Sequence, residues 1–314
     1  MNPLTGIYGA ASAFRNTLYD HHLLSSRRLE RTVISVGNLS VGGSGKTPFV
    51  IALGELLQAR GIRFDVLSRG YRRETRGVLV VEQDGEASDF GDEPLLIARR
   101  LNVPVVVGEN RYDAGRLAEK QFDTQLHILD DGFQHRELAR DLDIVLLTGS
   151  EFEDRLLPSG RLREPLSALG RADVIVVPSE MAFDHAALGG KTVRRMSREI
   201  AVADPPKSPI VFCGIARPQQ FFAQVRALGI SPAAEIVFRD HYAYRPSDLE
   251  RLVAQHKRLS ADGFLTTEKD AVNLGSLREE IKPLAIAVLK LSLENPADIV
   301  DTVLHRVSKE TVGS

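Results

Sequence analysis

A glycine-rich turn set between an apolar strand and a helix constrains this 314-residue chain more than any other feature. Arg31-Thr-Val-Ile-Ser-Val36 is short and rich in β-branched residues, the signature of a buried strand. It runs into Gly37-Asn-Leu-Ser-Val-Gly-Gly-Ser-Gly-Lys-Thr47 and then into Pro48-Phe-Val-Ile-Ala-Leu-Gly-Glu-Leu-Leu-Gln58. The last stretch has helical spacing, with Pro48 in the first turn and Gly61 as its stop. Strand, glycine turn, Gly-Lys-Thr and helix is the context that a phosphate-binding loop requires. Gly42, Gly43 and Gly45 let backbone N–H groups close around phosphate oxygens at the positive end of the helix dipole. Lys46 then reaches the β- and γ-phosphates, and the Thr47 hydroxyl holds Mg²⁺. The strict pattern wants glycine where Ser40 stands. Ser40, Val41, Gly42, Gly43, Ser44, Gly45, Lys46 and Thr47 form the expected nucleoside triphosphate site.

Such a loop needs an acidic partner for its metal, usually at the end of another parallel strand. His127-Ile-Leu-Asp-Asp-Gly-Phe-Gln-His135 supplies a short apolar run ending in Asp130 and Asp131. Adjacent carboxylates repel unless a cation sits near them, so both are expected at the Mg²⁺ site, directly or through water. Gly91-Asp-Glu-Pro94 precedes a helix at Leu95–Leu101. Asp92 or Glu93 there is either a helix cap or a carboxylate that takes the proton from an attacking hydroxyl. Between Arg60 and Arg76 six arginines face only Asp65 and Glu74. Phe64–Leu67 reads as a strand and Ser68–Arg73 as the loop at its end, either a solvated charged loop or a seat for anionic groups.

Further apolar runs at Val78–Val81, Val103–Val107, Asp143–Leu147 and Asp173–Val177 alternate with helical segments. The fold class that follows is α/β: a P-loop NTPase-like, mostly parallel sheet flanked by helices, with a second, smaller α/β domain. Asp204-Pro-Pro-Lys-Ser-Pro209 reads as a linker, which divides the chain into residues 31–203 and 204–314 after an N-terminal segment of residues 1–30. The second unit has strands near 210–213, 235–238, 263–267 and 284–291 and helices near 219–228 and 248–259. In it His241 stands between Asp240 and aromatics, a structural histidine as readily as a functional one, and Thr266-Thr-Glu-Lys-Asp270 has capping-box character.

The N-terminal segment departs from the average. Leu4, Ile7, Tyr8, Ala11, Phe14 and Leu18 fall on one helical face. Residues 1–31 carry four Arg against Asp20 and Glu30, although the whole chain has 40 Lys+Arg against 42 Asp+Glu. That helix either packs on the main domain or lies in an anionic membrane surface. No run approaches the length of a bilayer span and no signal peptide is evident, which predicts a cytoplasmic orientation. The near-neutral total speaks against a nucleic-acid partner. The single cysteine, Cys213, forms no internal disulfide and reads as a small core residue.

Taken together, several segments resemble the tetraacyldisaccharide 4'-kinase family of the lipid A pathway. They are Val36–Pro48, Ser68-Arg-Gly-Tyr71, Gly91-Asp-Glu-Pro94, Leu129–His135, Leu157-Pro-Ser-Gly-Arg-Leu-Arg-Glu-Pro165, Phe212-Cys-Gly-Ile-Ala-Arg-Pro218, Asp240-His241 and Thr266–Val272. The family shows serine at the position of Ser40. The resemblance implies ATP and Mg²⁺ as cofactors and transfer of the γ-phosphoryl group to the 4'-hydroxyl of a tetraacyldisaccharide 1-phosphate, giving lipid IVA. It implies peripheral attachment to the cytoplasmic face of the inner membrane through the N-terminal helix. It also implies Asp92 as a general base supported by His241, with Lys46 as the third catalytic group and Thr47, Asp130 and Asp131 at the metal. Arg69–Arg73 and Arg161–Arg163 become candidates for the substrate's 1-phosphate or the nucleotide phosphates. The competing readings are a nucleotide switch and a P-loop enzyme of a soluble small molecule. No Asn-Lys dipeptide for guanine recognition occurs in the chain.

Overall fold

A computed structural model describes residues 3–182 and 188–311, so the extreme ends of the first and last segments lie outside the described residues. The chain begins with α1 (Pro3–Asp20), followed by β1 (Thr32–Asn38), α2 (Lys46–Ala59), β2 (Phe64–Ser68), β3 (Leu79–Val80), α3 (Ala87–Phe90), α4 (Asp92–Leu101), β4 (Val105–Val107), α5 (Arg111–Gln121), β5 (Leu126–Asp130), β6 (Leu142–Leu146) and β7 (Val174–Pro178). The second half holds β8 (Thr192–Val202), β9 (Ile210–Cys213), α6 (Pro218–Ala227), β10 (Ala234–Val237), α7 (Pro246–Leu259), β11 (Phe264–Thr267), α8 (Glu268–Leu274), β12 (Leu284–Leu293) and α9 (Pro296–Thr311). All seven residues of β1 are buried, as a central strand with helices on both faces demands.

The strands form one sheet in the order β10-β9-β11-β12-β8-β7-β6-β1-β5-β2-β4-β3. Neighbours are parallel except at the edge pair β3–β4 and at β8–β12. The second exception decides the architecture. The first part of β8 pairs with β7 from Thr192 to Met196, and its last residue, Val202, pairs with Ala287 of β12. Ala287 is also where β12 leaves its pairing with β11. The two parallel half-sheets therefore hang on opposite ends of an antiparallel ribbon and run in opposite directions. Their carboxyl ends face one another across a cleft, and loops at strand carboxyl ends are where α/β sheets place ligands.

The division at 203/204 falls just after β8. The sheet crosses it through the ribbon, and α9 crosses back: Ile299, Val300 and Val303 are buried in the same apolar core as Phe49, Leu53 and Ile34. A separate core around Phe212, Tyr244, Leu252 and Phe264 supports the second half. Neither β8 nor α9 follows from the alternating pattern of the sequence.

Helix α1 packs by one face and exposes the other. Tyr8 OH donates to the Arg163 carbonyl (2.9 Å) and Arg15 Nη1 to the Gln134 carbonyl (3.1 Å). On the outer side Leu4, Ile7 and Phe14 are 58%, 66% and 66% exposed. Among the described residues no helix is long and apolar enough to cross a membrane.

Candidate active site

The glycine turn leaves the carboxyl end of central β1 and opens α2. Gly45 stands at the helix N-terminus with φ +83°, where an added Cβ would lie 2.8 Å from the Arg198 guanidinium. Glycine is favoured by the left-handed backbone, and a side chain here would push the Arg198 guanidinium off the turn. Lys46 Nζ sits between Asn38 Oδ1 (3.3 Å) and Asp131 Oδ1 (3.4 Å). Val41, Gly42, Gly43, Ser44, Gly45, Lys46 and Thr47 all line one cavity of about 1080 Å³. Ser40 does not line it: its hydroxyl donates to Glu151 Oε1 (3.1 Å), anchoring the back of the turn. This is the job of a loop support, and it explains why glycine is dispensable at that position.

Asp130 ends β5 next to β1, and Asp131 follows with φ +52°, a strained conformation for a residue with a side chain. The two carboxylates differ in surroundings. Asp131 accepts from Arg163 Nη1 (2.8 Å) and faces Lys46; burial works against its charge, but those cations hold its pKa below the usual range. Asp130 receives one hydrogen bond, from Ser68 Oγ to Oδ2 (3.1 Å), while its Oδ1 is buried with no partner. Burial, then the charges of Glu93 and Asp131, pushes its pKa up to about 7. An orphaned, uncompensated carboxylate oxygen in a cavity it shares with Thr47 fits a divalent cation. Among the described residues no group of three or more His, Cys, Asp or Glu is placed to hold a metal ion by itself.

Across the cleft, Gly91 (φ +91°) turns the chain so that Asp92 begins α4. Asp92 is buried, and its carboxylate meets His241 Nδ1 at 2.8 Å (Oδ2) and 3.0 Å (Oδ1). Asn273 Nδ2 donates to Oδ2 (3.1 Å), and Oδ1 also accepts the Glu93 N–H (2.9 Å); the N-cap position is Gly91, so Asp92 is not the cap of α4. Burial alone would raise the Asp92 pKa; the His241 hydrogen bond and the Lys269 charge outweigh it and hold the carboxyl below its ordinary value. His241 itself has φ +56°. It is pinned by its N–H on the Gly214 carbonyl (3.2 Å) and by Arg72 Nη1, which donates to the carbonyls of Asp240 (2.7 Å) and His241 (3.1 Å). Backbone strain retained at a cleft residue is a mark of function.

Two cationic residues that the sequence reading did not single out complete the nucleotide side. Arg198 of β8 donates to the Ser44 carbonyl, and the Arg217 side chain lies against Gly43 with Nη2 on Thr148 Oγ1 (3.3 Å). Burial and then Arg217 hold the Arg198 pKa below its usual value, as two guanidiniums crowd one turn. Arg217 lies inside the Phe212–Pro218 segment, at the start of α6. Of the other arginines expected near phosphates, Arg69, Arg72 and Arg163 line the cavity. Arg73 instead turns to Glu109 (2.9 Å) and Arg161 to Asp154 (3.3 Å). Burial, and then the charges of Arg111, Arg140, Arg15 and Arg69, lowers the pKa of His135 to about 4.

With this geometry in hand, the chain was compared with known proteins. The model of the tetraacyldisaccharide-1-P 4'-kinase family matches residues 1–308. A tetraacyldisaccharide 4'-kinase of Koribacter versatilis is 46% identical over 98% of this chain and 99% of its own length. That of Geobacter metallireducens is 38% identical, covering 96% of this chain and 95% of the relative. A crystal structure of LpxK from Aquifex aeolicus in complex with ATP superposes with a TM-score of 0.80 at 36% identity, covering 97% of both chains.

Proposed function

The chain belongs to the tetraacyldisaccharide-1-P 4'-kinase family, and we propose that it transfers the γ-phosphoryl group of ATP to the 4'-hydroxyl of a tetraacyldisaccharide 1-phosphate, giving lipid IVA. The observation that carries this reading is that one cavity gathers the Gly42–Thr47 turn, Asp130, Asp92 and His241, together with Tyr8, Ser12 and Arg15 of α1. A phosphate cradle, a proton acceptor and a surface helix open onto the same space.

The chemistry follows from the side chains. A sugar hydroxyl is a weak nucleophile until its proton is taken, and a positioned base contributes about 10²–10⁴ in rate. Asp92 accepts the 4'-hydroxyl proton as the new O–P bond forms. Its low pKa keeps it ionised near neutral pH, and the His241 contact fixes the plane of the carboxylate. Phosphoryl transfer otherwise demands alignment and charge neutralisation. Lys46 supplies these at the β- and γ-phosphates, and Arg198 from the ribbon and Arg217 from the second half-sheet close over the turn. Thr47 and Asp130 would hold Mg²⁺, with Asp131 orienting Lys46 and Arg163; the ion supplies neutralisation of the developing charge on the phosphates.

The exposed Leu4, Ile7 and Phe14 of α1 support peripheral attachment to the cytoplasmic face of the inner membrane, where the acyl chains of the acceptor stay in lipid while its sugar enters the cleft. The test supplies purified protein and Mg-ATP with either the disaccharide 1-phosphate or water-soluble sugars. A lipid heavier by one phosphoryl group supports the reading; phosphorylation of the soluble sugars alone overturns it.

A further inference from the structure

We propose that Lys269 is a positioning residue for phosphoryl transfer, fixing the tautomer of His241 by donating a hydrogen bond to Nε2. The assignment rests on the reading of Asp92 as the proton acceptor. Lys269 Nζ lies 3.1 Å from His241 Nε2, while Nδ1 of the same ring lies 2.8 Å from Asp92 Oδ2. An ammonium group has donors only and an ionised carboxylate acceptors only. The ring can satisfy both neighbours in one form: neutral, with its proton on Nδ1 facing Asp92 and Nε2 bare toward the lysine. The reverse tautomer would set N–H against ammonium and a lone pair against carboxylate.

Lys269 is built into this place. It sits second in α8, whose N-cap Thr267 accepts from the Asp270 N–H (3.1 Å). Asp270 in turn accepts from the Gly214 N–H and from Tyr244 OH, both at 2.8 Å, and Gly214 holds the His241 backbone. Three carboxylates ring the ammonium: Asp240 at 3.3 Å, Glu93 at 3.6 Å and Asp92 at 3.7 Å. Burial works to discharge the lysine, but those charges raise its pKa above the ordinary value, so it stays cationic. One lysine thereby ties α4 of the first half-sheet to the histidine turn of the second.

The charged groups around the imidazole are Asp92 from α4, Lys269 from α8 with Glu93 on its far side, the adjacent Asp240, and Arg72, which reaches the His241 carbonyl; Tyr71 packs edge-on at 5.3 Å. With Lys269 present, a proton on Nε2 would point at a cation. Without it, Nε2 faces Asp240 at 4.0 Å and nothing selects the Nδ1-protonated ring that orients Asp92.

Nitrogen-15 NMR of the full-length protein, labelled at its 8 histidines and assigned with His241→Gln, reads the tautomer without turnover. The wild type should show the His241 ring protonated on Nδ1. Lys269→Met should shift the ring toward the Nε2-protonated form and Lys269→Arg should restore the Nδ1 form. In kinetics, Lys269→Met should lower kcat by about tenfold or more with little change in the KM for ATP. A wild-type ring protonated on Nε2 overturns the proposal, and so does a Lys269→Met protein with an unchanged spectrum. If Lys269→Met fails to fold, the wild-type spectrum and the Lys269→Arg variant still decide. Failure of the underlying reading has a different signature, full kcat in Asp92→Asn whatever the tautomer.

Discussion

His241 Nδ1 lies 2.8 Å from Asp92 Oδ2 across 149 residues of chain and across the two half-sheets. The contact exists because the antiparallel β8–β12 ribbon turns the carboxyl ends of both half-sheets toward one cleft. A motion that parted the halves would break the pair, and in the proposed reaction it would take the orientation of the base with it.

The nucleotide side depends on cations from the second half as much as on Lys46. Arg217→Ala removes a guanidinium lying against Gly43, and Arg198→Met removes the one bonded to Ser44. Each should weaken ATP binding by about tenfold, as loss of roughly 1.4 kcal/mol implies. Isothermal titration with a non-hydrolysable nucleotide reads this, and unchanged affinity would show that the arginines serve only the fold.

Asp130 and Asp131 should separate in a magnesium titration. Asp130→Asn removes the oxygen that has no protein partner, so the concentration of Mg²⁺ for half-maximal rate should rise by about tenfold or more. Asp131→Asn should instead loosen Lys46 and Arg163 and raise the KM for ATP with less effect on the Mg²⁺ requirement. Equal magnesium responses would contradict the division.

Much of this site was legible because its chemistry is local in sequence. Gly42–Thr47 and the Asp130–Asp131 pair are each contiguous, and strand periodicity marks where they leave the sheet. Arg198 was not legible. It lies in β8, where Arg194, Arg195, Arg198 and Glu199 interrupt apolar alternation on a ribbon that is half-buried along most of its length. A regular β–α alternation also reads as parallel throughout, which hides the reversal at β12. For α9 the signal was present: Ile299, Val300, Val303, Leu304 and Val307 share one helical face. The role of Lys269 was masked because Thr266–Asp270 satisfies a capping pattern without it.

At the other end of β5 from Asp130, a buried cluster sets an alkaline limit on stability. His127 contacts Asp65 (2.8 Å) and Glu119 (3.5 Å). Burial opposes its charge, yet these carboxylates raise it from 6.5 to about 9. Because the folded value lies above the unfolded one, the stabilisation is complete below about pH 6.5 and fades as pH rises through 9. It amounts to about 3 kcal/mol. Melting curves should show wild type losing its margin over His127→Gln between those limits; a margin independent of pH would refute a charged His127.

Helix α1 should separate membrane binding from chemistry. Ile7→Asp and Phe14→Asp place charge on residues that are two-thirds exposed and do not line the cleft. Flotation with anionic liposomes should fall sharply while turnover of a detergent-solubilised acceptor persists. Undiminished flotation would remove α1 from the membrane account.

The central claim is that Asp92 takes the acceptor proton in a pocket that binds ATP independently of it. Rapid-quench measurement of a single turnover, with both substrates saturating, tests this in wild type and Asp92→Asn. The account predicts a transfer rate lower by about 10²–10⁴ in the variant with ATP affinity within about twofold of wild type. A variant that transfers phosphate at the wild-type rate, or loses rate only through weaker ATP binding, would contradict it.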